Sequence, residues 1–393
     1  MTALVYIFWI SLGILSYCYI GYGLILFLFN NIKVLFVPDR KSRSANLPAV
    51  TLIISVYNEE AILEQKIINT LAIDYPAGLL EILFVTDGSD DSSVDIIKKY
   101  PQTTLLHQAE RKGKYAAIKR AMRQVKTPVV VFSDANTMLN PECLKKMVVH
   151  YADEKVGGVA GEKKILRNNY ESAVGEAEGL YWQYESFLKR TDAEFYTIVG
   201  AAGELFSIRT RLFKELSDEI ILDDFVISMQ VCLQGYKIKY EPDAFATESP
   251  SASLQEEEKR KTRISAGAYQ SVGYLKGALN FFRHPLLSFQ YVSRRLLRWI
   301  FCPFALISLL LANIIIVSQQ FDNVYNSLLL AQIFFYVFAL GGWLFVRAGK
   351  RAGLFTIPFY FVFMNYCLMK GFARFVMKKQ PVLWEKSLRQ AME

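Results

Sequence analysis

Histidine is scarce in this chain: His107, His150 and His284 are the only three in 393 residues, and they lie far apart. The five cysteines (Cys18, Cys143, Cys232, Cys302, Cys367) are isolated, with no CxxC spacing. Both scarcities argue against a zinc site and a disulfide framework, so any metal must be held by carboxylates. No GxGxxG follows the first expected strand and no GxxxxGK[ST] occurs, which leaves a dinucleotide oxidoreductase and a P-loop nucleotidase without support. Internal repeats and low-complexity tracts are missing as well.

What is abundant is apolar sequence, 52% of residues with 14% aromatic. It concentrates in residues 1–36 and from about residue 296 onward, while 40–280 has the composition of a soluble unit. Ala3–Phe29, Ile300–Val317 and Leu328–Val346 are long and apolar enough to cross a bilayer. The first is too long for a signal-peptide core and lacks its flanking features, so it reads as a retained anchor. Leu354–Met369 is shorter, carries Pro358 and runs into Lys370, Arg374, Lys378 and Lys379. It reads as an interfacial or re-entrant helix, with a fourth span as the alternative.

Basic residues flank all three spans: Lys33, Arg40, Lys41 and Arg43; Arg294, Arg295 and Arg298; Arg347, Lys350 and Arg351. They fall on one side, cytoplasmic by the positive-inside rule, which puts the N-terminus outside and the polar region inside. The net charge of +8 is thereby explained by a lipid bilayer and anionic ligands, without nucleic acid as a partner.

The polar region alternates short β-branched runs with helical patterns, the signature of a βαβ sheet. Strands are expected at Val50–Val56, Glu81–Thr86, Thr103–His107 and Val129–Phe132. Helices are expected from about Glu59, over Asp91–Tyr100, over Lys112–Val125 and from Pro141, with Gln255–Arg263 as a further helix face. Polar clusters stand at the strand ends: Tyr57-Asn58-Glu59, Asp87-Gly88-Ser89-Asp90 and Asp134-Ala135-Asn136. Ligands of such sheets collect outside the carboxyl ends of strands, so the clusters mark a site. Singly, each has a plainer use: Asn58 and Glu59 suit a helix cap, Asp87-Gly88 a turn, and Asp223-Asp224 the first turn of a helix.

Taken in order, these residues resemble the family 2 glycosyltransferases of GT-A fold. The membrane-embedded branch with the hyaluronan, cellulose and poly-N-acetylglucosamine synthases is similar over nearly the whole chain. The resemblance implies a residue-by-residue site. Tyr57 would stack on the nucleotide base, with Glu59 on base or ribose and Asp87 on the nucleoside. Lys114, in Lys112-Gly113-Lys114, would contact the diphosphate. Asp134 would hold Mg²⁺ or Mn²⁺, with Asn136 standing where the family has a second aspartate. Gly203 and Glu204 follow the small residues of an acceptor-side loop. Asp224 matches the catalytic base, with Asp223 supporting its orientation. Arg263 would clamp phosphate beside Arg260, in a segment where Ile264 replaces the family's tryptophan. Arg298-Trp299 has the letters of that motif but reads as a membrane-interface anchor. Trp384 would belong to a loop closing over the donor.

The expected architecture is an anchor (1–36), an α/β GT-A domain with a Rossmann-like βαβ sheet (45–280), and interfacial and transmembrane helices with a tail (281–393). The implied function is inverting, metal-dependent transfer from a UDP-sugar to a growing polysaccharide or glycolipid, forming a β-linkage. It would take place at the cytoplasmic face of the cell (inner) membrane, with export or assembly proteins as further partners. Single addition to a lipid-linked acceptor and an inactive nucleotide-sensing scaffold are the alternatives. A transporter is disfavoured, since the three spans hold no ionisable pair.

Overall fold

The computed structural model describes residues 1–36, 46–166, 173–381 and 383. Its centre is an eight-stranded mixed sheet of order β3-β2-β1-β4-β7-β6-β8-β5. The strands are β1 Val50–Val56, β2 Leu80–Asp87, β3 Thr104–Gln108, β4 Val129–Asp134, β5 Met138–Leu139, β6 Val156–Ile165, β7 Phe206–Arg209 and β8 Lys237–Glu248. β1 pairs in parallel with both β2 and β4, and β2 with β3. β7 runs antiparallel between β4 and β6, which closes the parallel half onto a second half.

Alternation along the strands sends side chains to two cores. Ile53, Val85, Val130 and Phe132 meet Ile118, Phe206, Val226 and Met229 on one face. Leu52, Ile54, Phe84 and Val131 meet Leu63, Ile67, Leu144 and Met147 on the other. With helices on both faces β1 is buried almost throughout, which is why it reads as an unbroken apolar run. The strand order reverses at β1, between β2 and β4, and there the carboxyl ends of all three open onto one cavity.

Among the described residues three helices are long and apolar enough to cross a membrane: Thr2–Lys33, Pro285–Gln319 and Asn323–Arg347. They correspond to the three spans expected from the sequence. Phe8, Leu15 and Cys18 of the first pack on Cys302, Leu309 and Ile316 of the second. Thr356–Val376 is one unbroken helix, so the re-entrant form expected for this stretch is not observed. Pro358 lies near its start, where a proline removes no intrahelical hydrogen bond. Its Gly371 sits directly against Ser265 and Ala266 of the helix Leu254–Tyr274, joining membrane-proximal and catalytic parts.

Arg298-Trp299 is not a membrane-interface anchor. The Arg294 and Arg298 guanidiniums face inward, pairing with Glu185 at 3.0 and 2.7 Å, and Arg294 also reaches Asp192 at 2.9 Å. Tyr22 of the first apolar helix donates to the same Asp192 at 2.5 Å. Trp299 is 9% exposed and packs edge-on against Phe225, ring centroids 5.4 Å apart. Buried carboxylates on the helix Ala173–Phe195 drew these arginines away from the lipid surface, and the tryptophan went with them.

Candidate active site

The cavity has a volume of about 1040 Å³. β1, β2 and β4 deliver Tyr57, Asp87 and Asp134 to it, and the loop before β7 delivers Gly203 and Glu204. The helices Asp223–Leu233 and Leu254–Tyr274 add Asp223, Asp224, Arg260 and Arg263. Apart from Trp384, which lies outside the described residues, every site residue expected from the sequence lines this one space.

At its centre is Gly203. A methyl group there would stand 3.1 Å from Lys114 Nζ, 3.3 Å from Asp224 Oδ2 and 3.4 Å from Asp134 Oδ2. Three functional groups from distant parts of the chain therefore crowd a position where a side chain would have to displace them by a few tenths of an ångström. Nearby Gly200 has φ +87°, and a Cβ there would lie 2.0 Å from the Phe225 ring, so this position admits no side chain.

Lys114 Nζ donates to Asp134 Oδ1 at 2.6 Å and has Asp223 Oδ2 at 3.9 Å. Burial alone would lower this ammonium, but Asp134, Asp223 and Asp224 outweigh it and hold it well above its ordinary value. Asp224 goes the other way. Burial, then the like charge of Asp223, push its carboxyl up to about 7 against the pull of Lys114. Neither aspartate caps the helix they open: Leu222 occupies the cap, and Asp224 Oδ1 accepts only from the next backbone N–H, at 2.7 Å. Arg263 is lowered by burial despite facing Asp223, Asp224 and Asp134.

Asp87 accepts from the backbone N–H groups of Lys112 (3.1 Å) and Gly113 (2.6 Å), which locks the Lys112-Gly113-Lys114 turn onto the end of β2. Arg111 lies 3.6 Å over the Tyr57 ring, a contact the sequence reading did not include. Glu59 is buried behind it, its N–H donating to Ser93 Oγ at 3.0 Å.

Arg260 faces protein carboxylates, Glu178 at 2.6 Å and Glu257 at 2.9 Å. Glu204, expected beside the acceptor, faces Lys163 at 2.5 Å. Burial would raise this carboxyl, but Lys163 brings it down to about 2. Lys163 also pairs with Glu248, which accepts from Asn136 Nδ2 at 3.0 Å. Asn136 is thus tied to the loop that carries Glu204 through one buried chain of charges. Behind the turn, Lys66 donates to Ser133 Oγ (2.9 Å) and the Thr137 carbonyl (2.7 Å), bracing it on both sides of Asp134.

No group of three or more His, Cys, Asp or Glu that could hold a metal is found among the described residues. The donor set at Asp134 nevertheless fits a hard cation of the Mg²⁺ type. Such ions take one or two carboxylates and complete their shell with substrate phosphate and water.

Trp182, Glu185, Lys189, Arg295 and Trp299 also line the cavity, and sequence reading missed them in that role. Trp182, Glu185 and Lys189 share the i, i+3, i+7 spacing of one helix face, the signal that was available.

This mixed sheet is the GT-A-like fold expected above. A solved structure agrees in overall shape: the mannosyltransferase PcManGT from Pyrobaculum calidifontis, in complex with GDP-Man and Mn²⁺. It superposes with a TM-score of 0.71 at 20% identity, over 95% of this chain and 99% of that one. Residues 51–217 match the family model described as Glycosyl transferase family 2, so the chain carries a domain of that family. The poly-beta-1,6-N-acetyl-D-glucosamine synthase of Staphylococcus aureus (strain COL) is 27% identical over 237 residues, 57% of this chain and 55% of that protein. The synthase of the same name from Staphylococcus epidermidis is 26% identical over 217 residues, 52% and 50% of the two chains. The chain spans about half the length of these relatives.

Proposed function

We propose that this chain transfers a sugar, with inversion, from a UDP-sugar to a growing glycan or a lipid-linked acceptor at the cytoplasmic membrane face. The observation that carries the reading is Asp224. A half-buried carboxyl pushed up to about 7 stands across Gly203 from Lys114 and Asp134. A carboxylate whose pKa lies near working pH is suited to accept a proton from an attacking hydroxyl. Asp224 takes that proton as the acceptor oxygen bonds to the anomeric carbon. The bond to the diphosphate breaks on the opposite face, and the leaving group departs with its electron pair, giving a β-linkage.

Tyr57, Glu59 and Asp87 hold the nucleoside, with Arg111 as a further stacking partner. Lys114 and Arg263 bind the diphosphate, and Arg260, whose guanidinium is held by Glu178 and Glu257, lines the same cavity beside them. Asp134 and Asn136 would hold Mg²⁺ or Mn²⁺, which when bound neutralises charge on the leaving diphosphate. The Mn²⁺ of the mannosyltransferase complex supports this part of the reading. The polymer named in the synthases supports a glycan as product.

In the test, Asp224→Asn keeps the shape and loses the base, and turnover is expected to fall about 10²–10⁴-fold with UDP affinity unchanged. Asp134→Asn, or excess chelator, is expected to weaken UDP binding and turnover together. Near-normal turnover in a folded Asp224→Asn protein would mean that another group is the base.

A further inference from the structure

The donor chemistry leaves one end of the cavity unused. There the helix Ala173–Phe195 turns Trp182, Glu185 and Lys189 toward the space, opposite Lys261 and Arg295. Three buried ammonium groups surround the Trp182 indole: Lys163 at 4.8 Å, Lys189 at 5.4 Å and Lys261 at 5.7 Å from the ring centroid. Lys163 is neutralised by Glu204 and Glu248, and Lys261 has Glu257 at 3.6 Å.

Lys189 is different. It is 3% exposed, and its ammonium makes no hydrogen bond or ion pair, having only the Trp182 and Tyr240 rings beside it. The carboxylates whose fields reach it are engaged elsewhere: Glu162 by Ser186 and Tyr240, Glu204 by Lys163, Glu185 by Arg294 and Arg298. The Trp182 indole N–H is buried without a partner too. Two unsatisfied donors on one wall, one of them charged, cost the fold free energy unless a ligand rich in acceptors arrives.

The position of this wall narrows the ligand. Arg295 and Trp299 belong to the helix Pro285–Gln319, whose later residues form an apolar stretch long enough to cross a membrane, so this end of the cavity borders the apolar helices although Trp299 itself is packed inward. A group reaching it from the bilayer comes at head-group level. Resting on the transferase reading above, we propose that this end binds the phosphate of a lipid-linked acceptor, received by the Lys189 ammonium and the Trp182 N–H. The sugar attached to that phosphate then lies toward Asp224. A neutral glycan would leave the ammonium unpaired.

The test uses the full chain in nanodiscs of zwitterionic lipid, with farnesyl phosphate, farnesol and inorganic phosphate as probes. Farnesyl phosphate is expected to bind about 10- to 100-fold more tightly than farnesol, the range of one charge-assisted hydrogen bond. Lys189→Met should erase that preference, Lys189→Arg should keep most of it, and Trp182→Phe should fall between. The thermal midpoint of Lys189→Met should equal or exceed that of the parent, since an unpaired buried charge is removed. Equal binding of farnesol and farnesyl phosphate, or a preference that survives Lys189→Met, overturns the proposal. Inorganic phosphate binding as tightly as farnesyl phosphate removes the lipid and overturns it as well. UDP affinity and Asp224-dependent donor hydrolysis are read on the same samples. If both hold while the preference is absent, the anion site alone falls; if both fail while it is present, the transferase reading falls.

Discussion

Asp224 is half-buried beside Asp223, and it accepts from no side-chain hydrogen-bond donor among the described residues. Since its folded value of about 7 lies above that of an unfolded aspartate, protonation favours the fold. The stabilisation held by the neutral form is complete below the unfolded value and is lost as pH rises through about 7. Activity has the opposite sign, because the base works only when ionised. kcat/KM is expected to rise about tenfold per pH unit below about 7 and to level off above it, a limb that Asp224→Asn should lack. The same variant should melt no lower than the parent at pH 8, as removing a costly charge predicts. A flat pH profile between 5 and 8 would argue that Asp224 accepts no proton. Gly203 offers a second check at this scale. Gly203→Ala places a methyl 3.1 Å from Lys114 Nζ and 3.3 Å from Asp224, tight but against flexible side-chain ends. Folding is expected to survive while turnover falls about 10²-fold, the cost of misplacing catalytic groups by a fraction of an ångström to an ångström.

Among the elements, the pairing of the helices Leu254–Tyr274 and Thr356–Val376 connects site and membrane region most directly. Gly371 permits it: a Cβ there would fall 2.4 Å from Ser265 Cβ and 2.8 Å from the Ala266 backbone nitrogen. Backbone does not give way as a flexible side chain does. Gly371→Leu is expected to cost about 1–3 kcal/mol of stability, typical of overpacking. Turnover should fall as well, since the displaced helix carries Arg260 and Arg263. Circular dichroism melts and turnover on the same preparation would check both. A variant with unchanged melting and full activity would show that the two helices do not bear on each other.

For the whole molecule, the orientation expected from the flanking basic residues can be tested by labelling. All five cysteines are buried, so a single introduced cysteine can be labelled against a low background. With the catalytic domain in the cytoplasm, Phe321→Cys, between the second and third apolar helices, should react with an impermeant maleimide in intact cells. Asp153→Cys, on the exposed surface of the domain, should react only after permeabilisation. The reverse pattern would invert the topology. Part of the basic signal behind this expectation is used inside the protein, where Arg294 and Arg298 are neutralised by Glu185 and Asp192.

How legible each part was depends on the range of the forces that place it. Short β-branched apolar runs made β1 to β4 readable to within one or two residues, because strands buried on both faces, as β1, β2 and β4 largely are, must be apolar along their length. Span length made the three apolar helices readable, since bilayer thickness sets it. Tyr57, Asp87, Lys114 and Asp134 were found at or beside the ends of these strands, where local sequence dictates position. β5 to β8 escaped notice because their pairing is non-local: β7 is four residues long and joins β4 to β6 across the chain. The pairing of Glu204 with Lys163, of Arg260 with Glu178, and of Arg298 with Glu185 was equally hidden, for partners separated by 41 to 113 residues leave no spacing to read. The same holds for Trp299. Its neighbours in sequence are those of a membrane helix, and only the carboxylates folded in behind it turn its ring toward Phe225 and the cavity. Composition and periodicity decide where the chain is strand, helix or span, because those are short-range consequences of solvent and backbone. The partner of each buried charge was decided by the tertiary structure, because a charge taken out of water must be matched by whatever the fold brings within reach.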